Sequence, residues 1–220
     1  MMLFLTVLTG IVDAVSILSL GRVFVANMTG NVVFVGFALA GASGFSLEAS
    51  LSALGGFLIG AAIGGLAVDR LGTNRGHLLL AVAGAELVLL LAALVTAALA
   101  GPDPSGAARD GIAALLASGM GLQNAAVRRL QVFDLTTTVL TMTLTGIAAD
   151  IRHRDRFAVL RRLLAVFAML AGAVAGSLLV LDVSYVAALG LAAALLAVVV
   201  FWTGAAIRSP APWHAPAAGH

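Results

Sequence analysis

The sequence predicts an all-α fold, a polytopic integral membrane bundle of about six net crossings. Three observations carry the prediction. Hydrophobic residues make up 61% of the 220, against about 45–50% in an ordinary soluble domain, and mean hydropathy is +1.11. Charged residues make up only 10%, against about 25%. Several apolar stretches run for about 18 residues or more without a charge, the length that crosses a hydrocarbon core as helix.

The segments are 2–20, 27–42, 51–68, 78–100, 111–127, 135–149, 158–181 and 183–206. The first carries no basic n-region, and Asp13 interrupts it, so it reads as a retained membrane helix and not a cleaved signal. The second and sixth are shorter and begin in polar motifs. The third carries Gly56, Gly60 and Gly64, and the seventh carries Ala168, Gly172 and Gly176. Both rows have the four-residue spacing that lets helices approach closely, within the chain or in a homo-oligomer. The fourth holds Glu86, and the eighth ends at Trp202, an interfacial anchor. Residues 1–208 are expected to form one transmembrane domain, and 209–220 (SPAPWHAPAAGH) a disordered tail.

Loop charge reduces eight segments to six crossings. Arg70 and Arg75 follow the third segment, Arg152, Arg154, Arg156, Arg161 and Arg162 the sixth, and Arg208 the eighth. The breaks at 43–50, 101–109 and Asp182 are acidic or nearly neutral. Basic loops face the cytoplasm, but eight simple crossings would put 70–77 and 150–162 on opposite sides. The conflict disappears if 2–42 and 110–150 each make one net crossing, a helix plus a broken or re-entrant segment. Both termini are then cytoplasmic. A weak internal similarity agrees: GIVDA at 10–14 recurs as GLQNA at 121–125, and MTGN at 28–31 faces LTMT at 140–143, at offsets of 111 and 112. Pseudo-repeats of about 1–100 and 108–207 would be inverted repeats of three crossings, with discontinuous or re-entrant helices and a midplane site between them.

Candidate site residues come from polar positions inside apolar segments. Asn27-Met28-Thr29-Gly30-Asn31 follows an extended-looking Val23-Phe24-Val25 and opens a helix. Asn27 or Thr29 can cap it, its first-turn N–H groups suit an anion, and Gly30 admits a ligand or a second backbone. In the other half, Thr136 and Thr143, and Thr138, Thr141 and Thr145, fall near one helical face after Asp134, with Thr137 beside them. Asp13 lies deep in its segment, and Gln123 and Asn124 occupy the matching place. A carboxylate in hydrocarbon costs about 2.5–3.5 kcal/mol, so it faces a partner, water or a substrate. Asp13 and Glu86 are therefore the candidates for coupling to an ion. Each group also has a plain structural use: capping, threonine packing between helices, or an interhelical hydrogen bond.

The stretch from Asp13-Ala14-Val15 to Val25-Ala26-Asn27-Met28-Thr29-Gly30-Asn31 resembles the YoaK-like bacterial membrane family. So do Gly121-Leu122-Gln123-Asn124-Ala125 and Asp134-Leu135-Thr136-Thr137-Thr138-Val139-Leu140-Thr141. The similarity covers nearly the whole chain. The resemblance implies about six spans and an inner-membrane location, and no chemistry. This chain has Thr141-Met142-Thr143 where the family pattern has Thr-Gly-Thr, which adds a side chain at Met142.

Several classes are excluded or disfavoured. The net charge is +2, and all twelve basic residues are Arg, spread between apolar segments. No basic soluble face suits nucleic acid. No cysteine is present, so disulfides and thiolate metal sites are absent. His77, His153, His214 and His220 all lie outside the depths of the spans, and no H-E-x-x-H pattern occurs, so no enzyme, metal or cofactor is expected. With no lysine there is no G-x-x-x-x-G-K-[ST] phosphate loop, and transport would be secondary or partner-driven. The expected function is a secondary transporter or channel for a small polar or anionic solute or ion. Its site would comprise Asp13, Asn27, Thr29, Gly30, Asn31, Gln123, Asn124, Thr137, Thr138 and Thr141. The alternative is a structural or regulatory membrane protein.

Overall fold

The computed structural model describes residues 2–129 and 156–208. These form seven helices and, among the described residues, no strand: α1 (Met2–Ser19), α2 (Met28–Leu39), α3 (Leu47–Leu71), α4 (Arg75–Ala100), α5 (Gly106–Arg129), α6 (Arg156–Asp182) and α7 (Tyr185–Ile207). Five stretches are long and apolar enough to cross a membrane: α1, α3, α4, α7 and Val159–Asp182 within α6. The sixth segment of the sequence reading and the tail at 209–220 lie outside the described residues.

Helix starts follow local chemistry. Ser46, Asn74 and Ser184 accept from the first-turn amides of α3, α4 and α7, which satisfies donors that no helical carbonyl can reach. Each helix therefore begins at its cap: α3 and α4 start a few residues before the apolar stretch that marks them in the sequence, and α7 two residues inside its own. Gly101, at φ 82°, ends α4. Tyr185 Oη sits 2.9 Å from Ala97 O and 2.6 Å from Gly101 O, so the start of α7 caps the end of α4.

Helix α3 is small inside and large outside. Every buried residue of α3 is Ala, Ser or Gly, while its Leu58, Ile59, Ile63 and Leu66 are exposed. Lipid tails are as apolar as leucine, so the helices meet through close backbone approach instead. A Cβ on Gly56 or Gly60 would overlap the carbonyl oxygen of Ala114 or Ser118, and one on Gly121 would overlap that of Phe57. A Cβ on Gly64 would lie 2.7 Å from Ala125 Cβ. The contacts advance together along both helices, so α3 and α5 run parallel. The α1–α6 pair is built the same way. Gly172 meets Val7 O, Gly10 meets Met169 O, and a Cβ on Gly176 would lie 3.1 Å from Ala14 Cβ. These two helices are also parallel. The Gly56, Gly60 and Gly64 row thus packs within the chain.

Other contacts order the ends. Leu78 and Val82 of α4 cluster with Leu122 and Ala126 of α5, while Leu90 of α4 shares a pocket with Leu115 and Leu116, so α4 runs against α5. Leu80 near the start of α4 approaches Gly204 near the end of α7, so α4 runs against α7 too. One end of the bundle gathers Gly21, Ser46 and Arg109, with the Tyr185–Gly101 contact. The other gathers Gly72 beside Arg129, and Met2 against the Leu78–Ala126 cluster.

Gly60→Ala must push α3 away from α5, and a destabilisation of about 1–3 kcal/mol is expected. Gly65→Ala, five residues along the same helix, meets nothing within 4 Å and should be neutral or slightly stabilising. Thermal unfolding of the two variants in one detergent checks the contrast.

Candidate functional site

Asp13 is buried in α1, and its Oδ1 accepts the N–H groups of Val25 and Ala26, both at 3.1 Å. The chain turns back through Gly21 (φ 84°) and Arg22 (φ 58°) and then runs without regular structure to α2. Its backbone donors have no helix or sheet to satisfy them, and an unpaired buried amide is costly. The carboxylate supplies the acceptor. Asn31, fully buried on α2, does the same from the other side. It accepts Phe24 N–H at 2.8 Å and donates to Phe24 O at 2.6 Å. Asp13 and Asn31 thus grip residues 24–26 between them. Arg22 turns elsewhere: its guanidinium is 6.0 Å from the centre of the Phe45 ring.

The rest of this motif faces outward. Asn27 occupies the N-cap position of α2 but makes no side-chain capping bond. Asn27 and Thr29 are exposed, and Gly30 packs on the Phe24 ring, where a Cβ would come within 2.5 Å of Cδ2. The first-turn amides of α2 therefore lack the cap that Asn27 was expected to give. Thr137, Thr138 and Thr141 lie outside the described residues.

A second polar group forms in the middle of the bundle. Glu86 of α4 is 2% exposed. The Gln123 amide of α5, with its nitrogen turned toward α4, donates to Glu86 Oε1 at 3.0 Å and Oε2 at 3.2 Å. A small pocket beside them is walled by Leu8 and Val12 of α1, Leu90 of α4, and Leu115, Leu116, Gly119 and Met120 of α5. Gly119 makes room, since a Cβ there would lie 3.2 Å from Glu86 Cγ. Asn124, the next residue, turns to its own helix and donates to Met120 O at 2.9 Å.

The sequence-derived set therefore divides. Asp13 and Asn31 meet on the 24–26 backbone, and Gln123 meets Glu86. Asn27, Thr29 and Gly30 do not line the Glu86 pocket. The Glu86–Gln123 pair escaped the sequence reading, which set Gln123 against Asp13. The available signal was that a buried carboxylate needs a donor, and Gln123 is the deep amide of a neighbouring segment. No group of metal-ligating residues occurs among the described residues.

Removing the acceptor from Asp13 leaves two buried donors. Asp13→Ala should cost about 1–3 kcal/mol and speed amide exchange across 23–26, whereas Asp13→Asn keeps one acceptor oxygen and should do less. Hydrogen exchange read by mass spectrometry separates the two.

Comparison with known proteins places the chain in a family. Residues 1–202 match the family model described as "Protein of unknown function (DUF1275)". The chain is 34% identical over 145 residues to the UPF0700 transmembrane protein YoaK of Bacillus subtilis (strain 168). That match covers 66% of this chain and 63% of the relative, so it spans less than two thirds of the relative's length. No solved structure matches. With its long apolar helices and a transmembrane relative, this is a multi-pass membrane protein, and it belongs to the DUF1275, or YoaK-like, family.

Proposed function

We propose that the protein is a secondary transporter of a small polar or anionic solute, built from two inverted halves. The observation that carries this reading is the repetition of one helix contact. Gly10 meets Met169 and Ala173 as Gly121 meets Phe57 and Ala61, and Gly172 meets Val7 as Gly60 meets Ser118. The offsets are 111 between α1 and α5 and 112 between α3 and α6, those of the weak sequence repeat. Each half thus lends its first helix to the second crossing element of the other. Following the helix directions, α1 runs opposite to α5, α3 to α6 and α4 to α7. Inverted halves of this kind are a recurrent transporter plan.

The connections fit six net crossings. With twelve residues, α2 spans about 18 Å, short of the roughly 30 Å of a hydrocarbon core. Residues 20 to 46 leave and return at one end, where Gly21 adjoins Ser46. By helix direction, the end of α5 and the start of α6 both lie at the opposite end. That end carries Arg70, Arg75, Arg128, Arg129, Arg161, Arg162 and Arg208, and the Gly21 end carries Arg22 and Arg109. The basic end, with both termini, is accordingly read as cytoplasmic, in the inner membrane. The solute site is read at the uncapped start of α2, where Asn27 and Thr29 are exposed and amide donors favour an anion or a polar oxygen. A structural or regulatory role is the second reading. The bonds of Asp13 and Asn31 to the 24–26 backbone favour it, because they explain two polar residues without a solute.

The cysteine-free chain allows single-cysteine labelling. Residues 73 and 208 should be modified only from the cytoplasmic side, and 43 and 104 only from the other. A thermal-shift screen of small anions, carboxylates, amino acids, nucleobases and sugars tests the transport reading. A ligand at a hundred times its Kd should stabilise the folded protein by about 2.7 kcal/mol, and the shift should vanish in Thr29→Val. No shift with any solute, together with no solute uptake by vesicles, contradicts the transport reading.

A further inference from the structure

We propose that Glu86 and Gln123 form a proton-exchange site at the α4–α5 contact, through which solute movement is coupled to protons. The proposal deepens the transport reading and depends on it for the coupling; the site itself stands or falls separately.

The Glu86 carboxyl group sits beside apolar walls. Among the described residues no cation pairs with it, and the sole salt bridge is Arg109–Asp110. Gln123 on α5 is the polar group that faces it. From α1 come Leu8 and Val12, while the adjacent Asp13 is turned to Val25 and Ala26. The single ionisable residue of α7 is Tyr185, held at the far end on Gly101. Glu48, Asp69 and Arg70 of α3 lie in its end turns. One amide between two carboxylate oxygens is weak compensation for a charge in so apolar a setting.

The same geometry selects the ion. A metal cation would need several oxygen ligands, and the pocket walls offer Leu, Val, Met and Gly. A proton needs only one lone pair of Glu86, leaving the other oxygen to accept from Gln123. In the closed packing Glu86 is then the neutral acid. When the pocket opens to water, its proton passes to water and leaves the carboxylate beside the amide. On closing, the carboxylate takes a proton back.

The position within the two halves adds a second observation. At the 111-residue offset, Gln123 of α5 corresponds to Val12 of α1, and α7, the counterpart of α4, carries no acidic or basic residue. The acid–amide pair thus occupies one of two otherwise matching contacts. A pair needed only to join helices has no reason to be so one-sided, since α1 and α7 pack without one.

Infrared pH-difference spectra of the full chain in lipid vesicles read this site without any solute. Lowering pH should produce a carboxylic-acid carbonyl band that persists in Asp13→Asn and disappears in Glu86→Gln. The band should move in frequency in Gln123→Leu and in Glu86→Asp, which also guards against a folding defect. Identical carboxyl bands in the unchanged protein and Glu86→Gln would overturn the proposal, even if solute transport were found. A titrating Glu86 band in a protein that moves no solute would uphold the site and remove the transport reading.

Discussion

The structure depends on backbone meeting backbone. In water, helices associate because burial removes apolar surface from solvent. Lipid removes that incentive, so association rests on dispersion contacts, interhelical hydrogen bonds and lipid entropy. Dispersion falls off within a fraction of an ångström, and glycine permits the shortest approach. The α3–α5 and α1–α6 pairs both take this solution, with carbonyls lodged where a Cβ would stand. The large side chains of α3 that would fill a soluble core, Leu58, Ile59, Ile63 and Leu66, face outward instead.

Close packing leaves little room for polar groups, and the chain uses the few it has economically. The hydroxyls of Thr6, Thr9 and Thr203 bond to carbonyls of their own helices. Asp13 and Asn31 are assigned to a non-helical stretch whose amides would otherwise be bare. By contrast, Glu86 is tied to a single amide of a neighbouring helix beside a pocket. That difference separates a carboxylate with a complete structural account from one whose energetic cost the fold leaves largely uncompensated.

Much of the fold was legible because hydrophobic length is a direct physical measure. Each described helix lies on its apolar segment, displaced at the ends by a cap such as Ser46, Asn74 or Ser184. The Gly56 and Gly172 rows were legible as packing surfaces because their spacing has one main use. Their partners were not, since nothing in a glycine row names the helix that meets it. The site was read less completely. Asp13 bonds to main chain, and a main-chain donor has no residue type to search for. Glu86 bonds to a residue 37 positions away, across a contact that exists only once α4 and α5 run against each other. Asn27 was read as a cap from its type, yet its side chain makes no capping bond. Thr137, Thr138 and Thr141 lie outside the described residues.

The central claim is that α1–α6 and α3–α5 are one contact used twice in opposite directions. Paired cysteines test it most directly, because a disulfide cannot bridge Cβ atoms held much more than about 4.5 Å apart and the chain has no cysteine of its own. One pair replaces Gly64 and Ala125, and the other replaces Gly176 and Ala14. In native membranes both pairs should oxidise to intramolecular crosslinks, while the exchanged pairs, Gly64 with Ala14 and Gly176 with Ala125, should not. Crosslinking in one matched pair without the other, or in the exchanged pairs, would contradict the account.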